Sequence, residues 1–188
     1  MLRSLVGSEM CIRDSFQIDE SNKAPRRTLE MISELLRYQL YGGNQKVSIL
    51  QEIDYLKTYI ALRKLRMSER LRLRVEFPPE LNELNIYPLL FLPLVENAFK
   101  YVGGDYQLDI IMKWENNRIS LFIRNSIPEL SAEDEALRKS VDERQRKGIG
   151  LVNLRRRLSL LYPNKHRLET RKEETEFVAE LMIEIEDI

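Results

Sequence analysis

Two stretches of the chain combine residue types able to do chemistry with a spacing that could bring them to one ligand. The first is Leu94-Val95-Glu96-Asn97-Ala98-Phe99-Lys100-Tyr101. Here an apolar helix carries a carboxylate, an amide and an ammonium, and Asn97 and Lys100, three residues apart, share a face. A buried polar group without a partner costs roughly 1–3 kcal/mol, so this face calls for a polar ligand. The Asn97 carbonyl oxygen is a hard ligand suited to Mg²⁺. The Lys100 ammonium is a point charge suited to phosphate. The plainer alternative for Asn97 is a structural amide. Glu96 faces elsewhere and reads equally as a catalytic carboxylate or a solvated one.

The second stretch is Lys147-Gly148-Ile149-Gly150-Leu151-Val152-Asn153. A Gly-x-Gly that opens a helix lets backbone amides and the helix dipole approach an anion closely. Alone the pattern is weak, and the two glycines could simply shape a turn. After the Asn97 helix and a long polar stretch it gains weight. Arg155, Arg156 and Arg157 come next, and successive helical positions diverge, so at most one can face a ligand.

The elements that must position these residues can be read from periodicity. Leu29, Ile32, Leu35, Leu36 and Leu40 form one helical stripe, with Pro25 in the first turn and Gly42-Gly43 at the end. A second stripe runs Leu50, Ile53, Leu56, Tyr59, Ile60, Arg63 and Met67, with Ser48 and Gln51 as a capping box. Together they predict an antiparallel helical hairpin with apolar surface left for a second copy of the chain. Tyr55 and Tyr59 read as hairpin core or interface. The period then changes to two. Leu71, Leu73, Val75 and Phe77 alternate with charged residues and predict a strand that stops at Pro78-Pro79. Pro88 to Tyr101 predicts a buried helix. Tyr106–Trp114 and Arg118–Asn125 predict two strands around an Asn116-Asn117 turn. Ser126 to Lys147 is polar and aperiodic, the pattern of a functional loop or lid. Leu151–Leu161 predicts a helix, and Arg167–Lys172 and Phe177–Ile185 predict two last strands. His166, beside a Tyr162-Pro163-Asn164-Lys165 turn, reads as an ordinary surface histidine. The fold class is thus α+β: a helical hairpin, then a two-layer α/β sandwich with a mixed sheet of about five strands.

Composition narrows the partners. Lys plus Arg equals Asp plus Glu, 30 each, so the chain lacks the cationic excess of a general nucleic-acid binder, and no nucleic-acid partner is expected. The single cysteine, Cys11, and single histidine, His166, leave no disulfide framework, no cysteine-based zinc site and little scope for imidazole chemistry. The longest apolar run, Ile86 to Val95, carries two prolines and falls short of the ~20 residues of a membrane span. No membrane contact is expected of this fragment, and a cytoplasmic setting fits. Residues 1–15 lack periodicity and the features of a signal peptide. They resemble a translated sequencing-adapter leader and are read as non-native.

The order LLRY, YLKTYIALRKLR, LPLVENAFKY and GIGLVNLRRRLSLLY resembles the LytS-like sensor histidine kinases over nearly all of the chain from Lys23. The resemblance implies the Bergerat ATP-binding fold shared with gyrase and MutL. It implies ATP and Mg²⁺ as cofactors, with Asn97 on the metal, Lys100 and Tyr101 beside the phosphates, and Gly148, Gly150, Leu151 and Asn153 closing over them. It divides the chain into 16–70, part of the dimerisation and phosphotransfer hairpin, and 71–188, the ATP-binding catalytic domain. Its implied partners are a second copy through the hairpin and a response regulator. The whole protein would be anchored in the bacterial inner membrane.

Three departures stand out. The family's phosphoacceptor run, Pro-His-Phe-x-Phe-Asn, is absent upstream of LLRY, although Phe16 to Ala24 resembles the segment just after it. A fragment of this kind is not expected to autophosphorylate. The adenine-reading Asp-x-Gly-x-Gly box is replaced by Asn125-Ser126-Ile127-Pro128, where the Asn125 amide oxygen can still accept from an adenine amino group. Pro93 stands where related ATPases carry a general-base glutamate, which favours transfer to an external acceptor over water. The competing reading is a nucleotide-independent dimerisation or regulatory module derived from such a kinase.

Overall fold

Helical stripes and alternating strands segregate along the chain as their periods require. In chain order the elements are α1 (Lys23–Tyr41), β1 (Val47–Ser48), α2 (Ile49–Lys64), β2 (Arg72–Glu76), β3 (Asn85–Ile86), α3 (Leu92–Tyr101), β4 (Gln107–Glu115), β5 (Arg118–Ser126), α4 (Ile149–Leu161), β6 (His166–Lys172) and β7 (Glu176–Glu184). The computed structural model describes residues 23–41, 45–79, 81, 84–129 and 149–185. The leader with Cys11, the Gly42-Gly43 link, Gly148 and the lid-like stretch beyond Glu129 lie outside the described residues. Two compact units result. One takes the described residues up to Met67 together with Asn85–Leu89, the other Ser68–Leu84 and Leu90 onward.

In the first unit α1 and α2 run antiparallel, as shown by Thr58 Oγ1 donating to Glu34 and Gln39 Nε2 donating to the Tyr55 hydroxyl at 2.7 Å. Ser48 caps α2. Its Oγ accepts from Leu50 N, and its own N–H donates to the Gln51 side chain, the reciprocal pair of a capping box. The cap sets the helix phase, so Ile49, Ile53, Leu56 and Ile60 point inward while Leu50 is exposed. The expected stripe holds at Ile53, Leu56 and Ile60 and departs at Leu50, where Ile49 takes the inner position. Tyr55 is buried, as expected of hairpin core. Leu36 and Leu40 on α1 are exposed.

This unit also gathers a short strand from further along. β3 pairs antiparallel with β1, Val47 opposite Ile86 and Ser48 opposite Asn85. Glu52 of α2, fully buried, ties α1 and the turn after β3 to its own helix: its Oε2 accepts from the Tyr38 hydroxyl at 2.7 Å and from Leu89 N at 2.9 Å. The Tyr38 ring stacks on Tyr55 with centroids 4.6 Å apart. Burial, then the adjacent Glu52 charge, push the Tyr38 hydroxyl well above the usual tyrosine range.

The second unit is built on a five-stranded sheet of order β2-β4-β5-β7-β6. β2 runs parallel to β4, and the other pairs are antiparallel. The β4–β5 hairpin turns on Asn116 and Asn117, both in the left-handed region at φ 52° and 59°, which matches a type I′ turn and the twist of the strands. Register puts Leu108, Ile110 and Met112 of β4, Ile119, Leu121, Ile123 and Asn125 of β5, and Ala179, Leu181 and Ile183 of β7 on one face, all buried. α3 packs on β5 and β4, α4 packs on β6, and the two helices pack on each other. Leu94, Val95, Ala98 and Phe99 of α3 and Leu154 and Leu158 of α4 supply the helical side of the core.

α3 begins at Leu92, not at the expected Pro88. Pro93 falls in its first turn, where the missing N–H and fixed φ are harmless. Further inside, the proline ring would clash with the preceding turn, so the four residues before Leu92 form turns instead.

Candidate functional site

The end of β5 and the two helices lie together in the second unit. α3 carries Glu96, Asn97, Lys100 and Tyr101; α4 opens with Gly150, Leu151 and Asn153. Asn97 and Tyr101 are half-buried, while Glu96 and Lys100 are exposed. The Lys100 ammonium lies 5.0 Å from the centre of the Tyr101 ring. It also sits in the last turn of α3, where a cation complements the helix dipole. Gly150 is exposed and a Cβ there would meet nothing within 4 Å. Leu151 is half-buried and Asn153 exposed. Gly148 falls outside the described residues.

Asn125 differs from the others. It is fully buried, at 0% exposure, on the core face of β5. Its Nδ2 donates to Ser126 O at 3.2 Å. Its Oδ1 has no hydrogen-bond partner among the described residues. Native structures rarely leave such an acceptor alone.

The arginines of α4 divide as helical geometry requires. Arg155 reaches back to β6, where Nη1 donates to Leu168 O at 2.9 Å and Nη2 to Thr170 Oγ1 at 3.4 Å. It covers a carbonyl on an edge strand, a structural task. Arg156 is exposed. His166 is half-buried, and its Nδ1 lies 2.7 Å from Tyr162 O. A carbonyl can only accept, so Nδ1 carries the proton and the ring caps the end of α4.

Sequence reasoning missed one set of contacts. Gly103 comes just after α3, and its N–H donates to Ser126 O at 3.0 Å. The Ser126 hydroxyl donates to Gly103 O at 2.7 Å. The turn between α3 and β4 is thereby stitched to the end of β5. The available signal was the Gly103-Gly104 pair directly after a helix end.

The layering of this unit is a mixed five-stranded sheet with its helices on one face. Full-length ShkA, solved in complex with AMPPNP, superposes with a TM-score of 0.51 at 13% sequence identity, over 84% of this chain and 35% of that one. A family model described as histidine kinase matches residues 11–71. The chain is 27% identical over 158 residues to the sensor protein kinase HptS of Staphylococcus aureus strain USA300, and the match covers 81% of this chain and 30% of that protein. The HptS proteins of other S. aureus strains, NCTC 8325 among them, match equally. In these matches the chain is similar to sensor histidine kinases. It spans under a third, 30%, of the length of the curated relatives it matches.

Proposed function

We propose that this chain is the ATP-binding catalytic portion of a sensor histidine kinase. In the whole protein it takes the γ-phosphoryl group of Mg-ATP to a histidine, from which a response regulator aspartate receives it. The observation that carries the reading is the buried Asn125 Oδ1 with no partner among the described residues. A neutral acceptor held in a dry core beside the sheet's covering helices suits the exocyclic amino group of adenine. Asn97 and Lys100, on one face of the α3 helix that packs on β5, supply an amide oxygen and an ammonium for the phosphate end.

The fit to magnesium is of a particular kind. No group of three or more His, Cys, Asp or Glu side chains able to hold a metal lies among the described residues. A Mg²⁺ bound here would take the Asn97 oxygen and otherwise oxygens of the nucleotide and of water, which is how this ion is commonly held in phosphoryl-transfer sites. Bound there, it would neutralise charge on the phosphates. The protein's own share is positioning: Asn125 fixes the base, Lys100 and Tyr101 flank the phosphates, and the start of α4 at Gly150 and Leu151, with Asn153, closes over them.

The hairpin serves dimerisation in this reading, through the exposed Leu36, Leu40 and Leu50. No helix among the described residues is long and apolar enough to cross a membrane. In this reading the whole protein is anchored in the bacterial inner membrane and this part lies on the cytoplasmic, ATP-containing side.

Isothermal titration tests the proposal. Mg-ADP is expected to bind, and Asn97→Ala is expected to remove the Mg²⁺-dependent part of the affinity while sparing adenosine. Absence of both heat and thermal shift at saturating nucleotide overturns the reading. The nucleotide-independent alternative would then stand.

A further inference from the structure

One hydroxyl joins the end of β5 to the loop that follows α3. Ser126 is buried. Its Oγ donates to Gly103 O at 2.7 Å and accepts from Gln107 N at 2.9 Å. Its carbonyl oxygen receives two donors, Gly103 N at 3.0 Å and the side-chain Nδ2 of Asn125 at 3.2 Å. The second bond turns the amide of Asn125: with Nδ2 held against the backbone, Oδ1 is directed the other way. Gly103 and Gly104 bring the facing segment in closely. A Cβ on Gly103 would lie 2.9 Å from Pro128 Cδ. A Cβ on Gly104 would lie 3.1 Å from Ile127 O, and Gly104 sits at φ +62°. Ile127 and Pro128 stand in the box that lacks glycines of its own, and the close backbone approach comes instead from the loop after α3.

We propose that Ser126 is a positioning residue for adenine selection: its hydroxyl, through Gly103, fixes the orientation of Asn125 and its span from the Lys100–Tyr101 end of α3. The inference rests on the nucleotide-binding reading above. Ser126 touches no nucleotide atom in this scheme. It sets which way the unpartnered Asn125 oxygen points and how far that acceptor lies from the phosphate-side residues. The site therefore discriminates between purines by geometry that Ser126 maintains, so base preference and phosphate affinity are separable.

The test uses the full chain and three variants, Ser126→Ala, Ser126→Thr and Gly103→Ala. Mg-ADP, Mg-GDP and Mg-tripolyphosphate are titrated into each, and melting temperatures are recorded. In Ser126→Ala the loss of one neutral hydrogen bond is expected to weaken Mg-ADP binding about five- to tenfold. The preference for ADP over GDP should fall toward one, and tripolyphosphate binding should not change. Ser126→Thr keeps the hydroxyl and should retain the preference. Gly103→Ala pushes the same two segments apart from the other side and should also lose it, which covers the case in which Ser126→Ala folds poorly. A melting-temperature drop with the ADP-to-GDP preference intact in both Ser126→Ala and Gly103→Ala overturns the inference alone. A wild-type chain that binds no Mg-ADP overturns it together with the nucleotide reading.

Discussion

Replacing Asn125 by leucine should move stability and binding in opposite directions. The side chain is fully buried, at 0% exposure. It makes one hydrogen bond, Nδ2 to Ser126 O at 3.2 Å, and leaves Oδ1 without a partner among the described residues. A buried acceptor without a partner costs about 1–3 kcal/mol, and a neutral intramolecular hydrogen bond contributes about 0.5–1.5 kcal/mol. Leucine has nearly the same shape and removes both terms. The nucleotide-free variant is therefore expected to be as stable as the parent or more so, by up to about 2 kcal/mol. The complex behaves differently. The adenine amino group would face a methyl instead of an oxygen, and the affinity for Mg-ADP should fall by about 1–3 kcal/mol, roughly five- to 150-fold. Urea unfolding gives the first quantity from the midpoint at constant slope. Isothermal titration gives the second. A variant destabilised by more than about 2 kcal/mol that still binds Mg-ADP like the parent would refute the reasoning, because Asn125 would then be a structural amide.

Two further predictions concern the hairpin unit. Glu52→Ala removes the acceptor shared by the Tyr38 hydroxyl and Leu89 N, and should cost about 2–5 kcal/mol in urea unfolding, with Glu52→Gln, which keeps an oxygen, losing less than half of that. The Tyr38 hydroxyl holds its proton more tightly when folded. Its contribution to stability is complete below the ordinary tyrosine value of about 10 and fades as pH rises beyond it. Unfolding midpoints taken below and above that value should fall more steeply for the parent than for Tyr38→Phe; equal slopes would exclude Tyr38 as the source.

What the sequence made legible was local. Alternation in Tyr106–Trp114 and Arg118–Asn125, with two asparagines between them, identified a hairpin whose turn residues do occupy φ 52° and 59°. Ser48 and Gln51 identified the start of α2 because a capping box needs only neighbours. The expected stripe of that helix holds at Ile53, Leu56 and Ile60 and fails only at Leu50, since hydrophobicity alone does not show which of two adjacent apolar residues, Ile49 or Leu50, turns inward. The return of Asn85 and Ile86 to pair with β1 was not legible. Strand pairing at that separation leaves no periodic trace in so short a segment. The same holds for Ser126 and Gly103, whose meeting depends on α3 ending beside β5. Their residue types are common in any turn. The helices carrying Asn97 and Gly150 were legible because their apolar residues recur at helical spacing. Their packing against each other and the sheet is a property of the layers.

The run Asn125-Ser126-Ile127-Pro128 leads to a last expectation, that an aspartate at position 125 damages this protein. Asn125 is compatible with its surroundings because one half of its amide donates to Ser126 O. An aspartate at that position has no donor to offer when ionised. Its carboxylate oxygen would stand about where Nδ2 now stands, against a carbonyl oxygen that is also negative. A charge in a site of 0% exposure, facing an acceptor, is pushed toward its neutral form. Asn125→Asp should therefore lose at least about 2 kcal/mol at pH 8. Burial raises the folded carboxyl above its unfolded value of about 3.9, so the native state binds the proton more tightly and the variant recovers stability as pH falls toward 5. The protonated carboxyl can donate to Ser126 O as the amide does. Urea midpoints of the variant relative to the parent at pH 8 and pH 5 measure this recovery. Nucleotide affinity should be weaker than the parent's at pH 8, since the acceptor is then tied to a destabilised segment. A variant as stable as the parent at pH 8 that binds Mg-ADP more tightly would show that the Asn125 amide donor has no part in holding the end of β5.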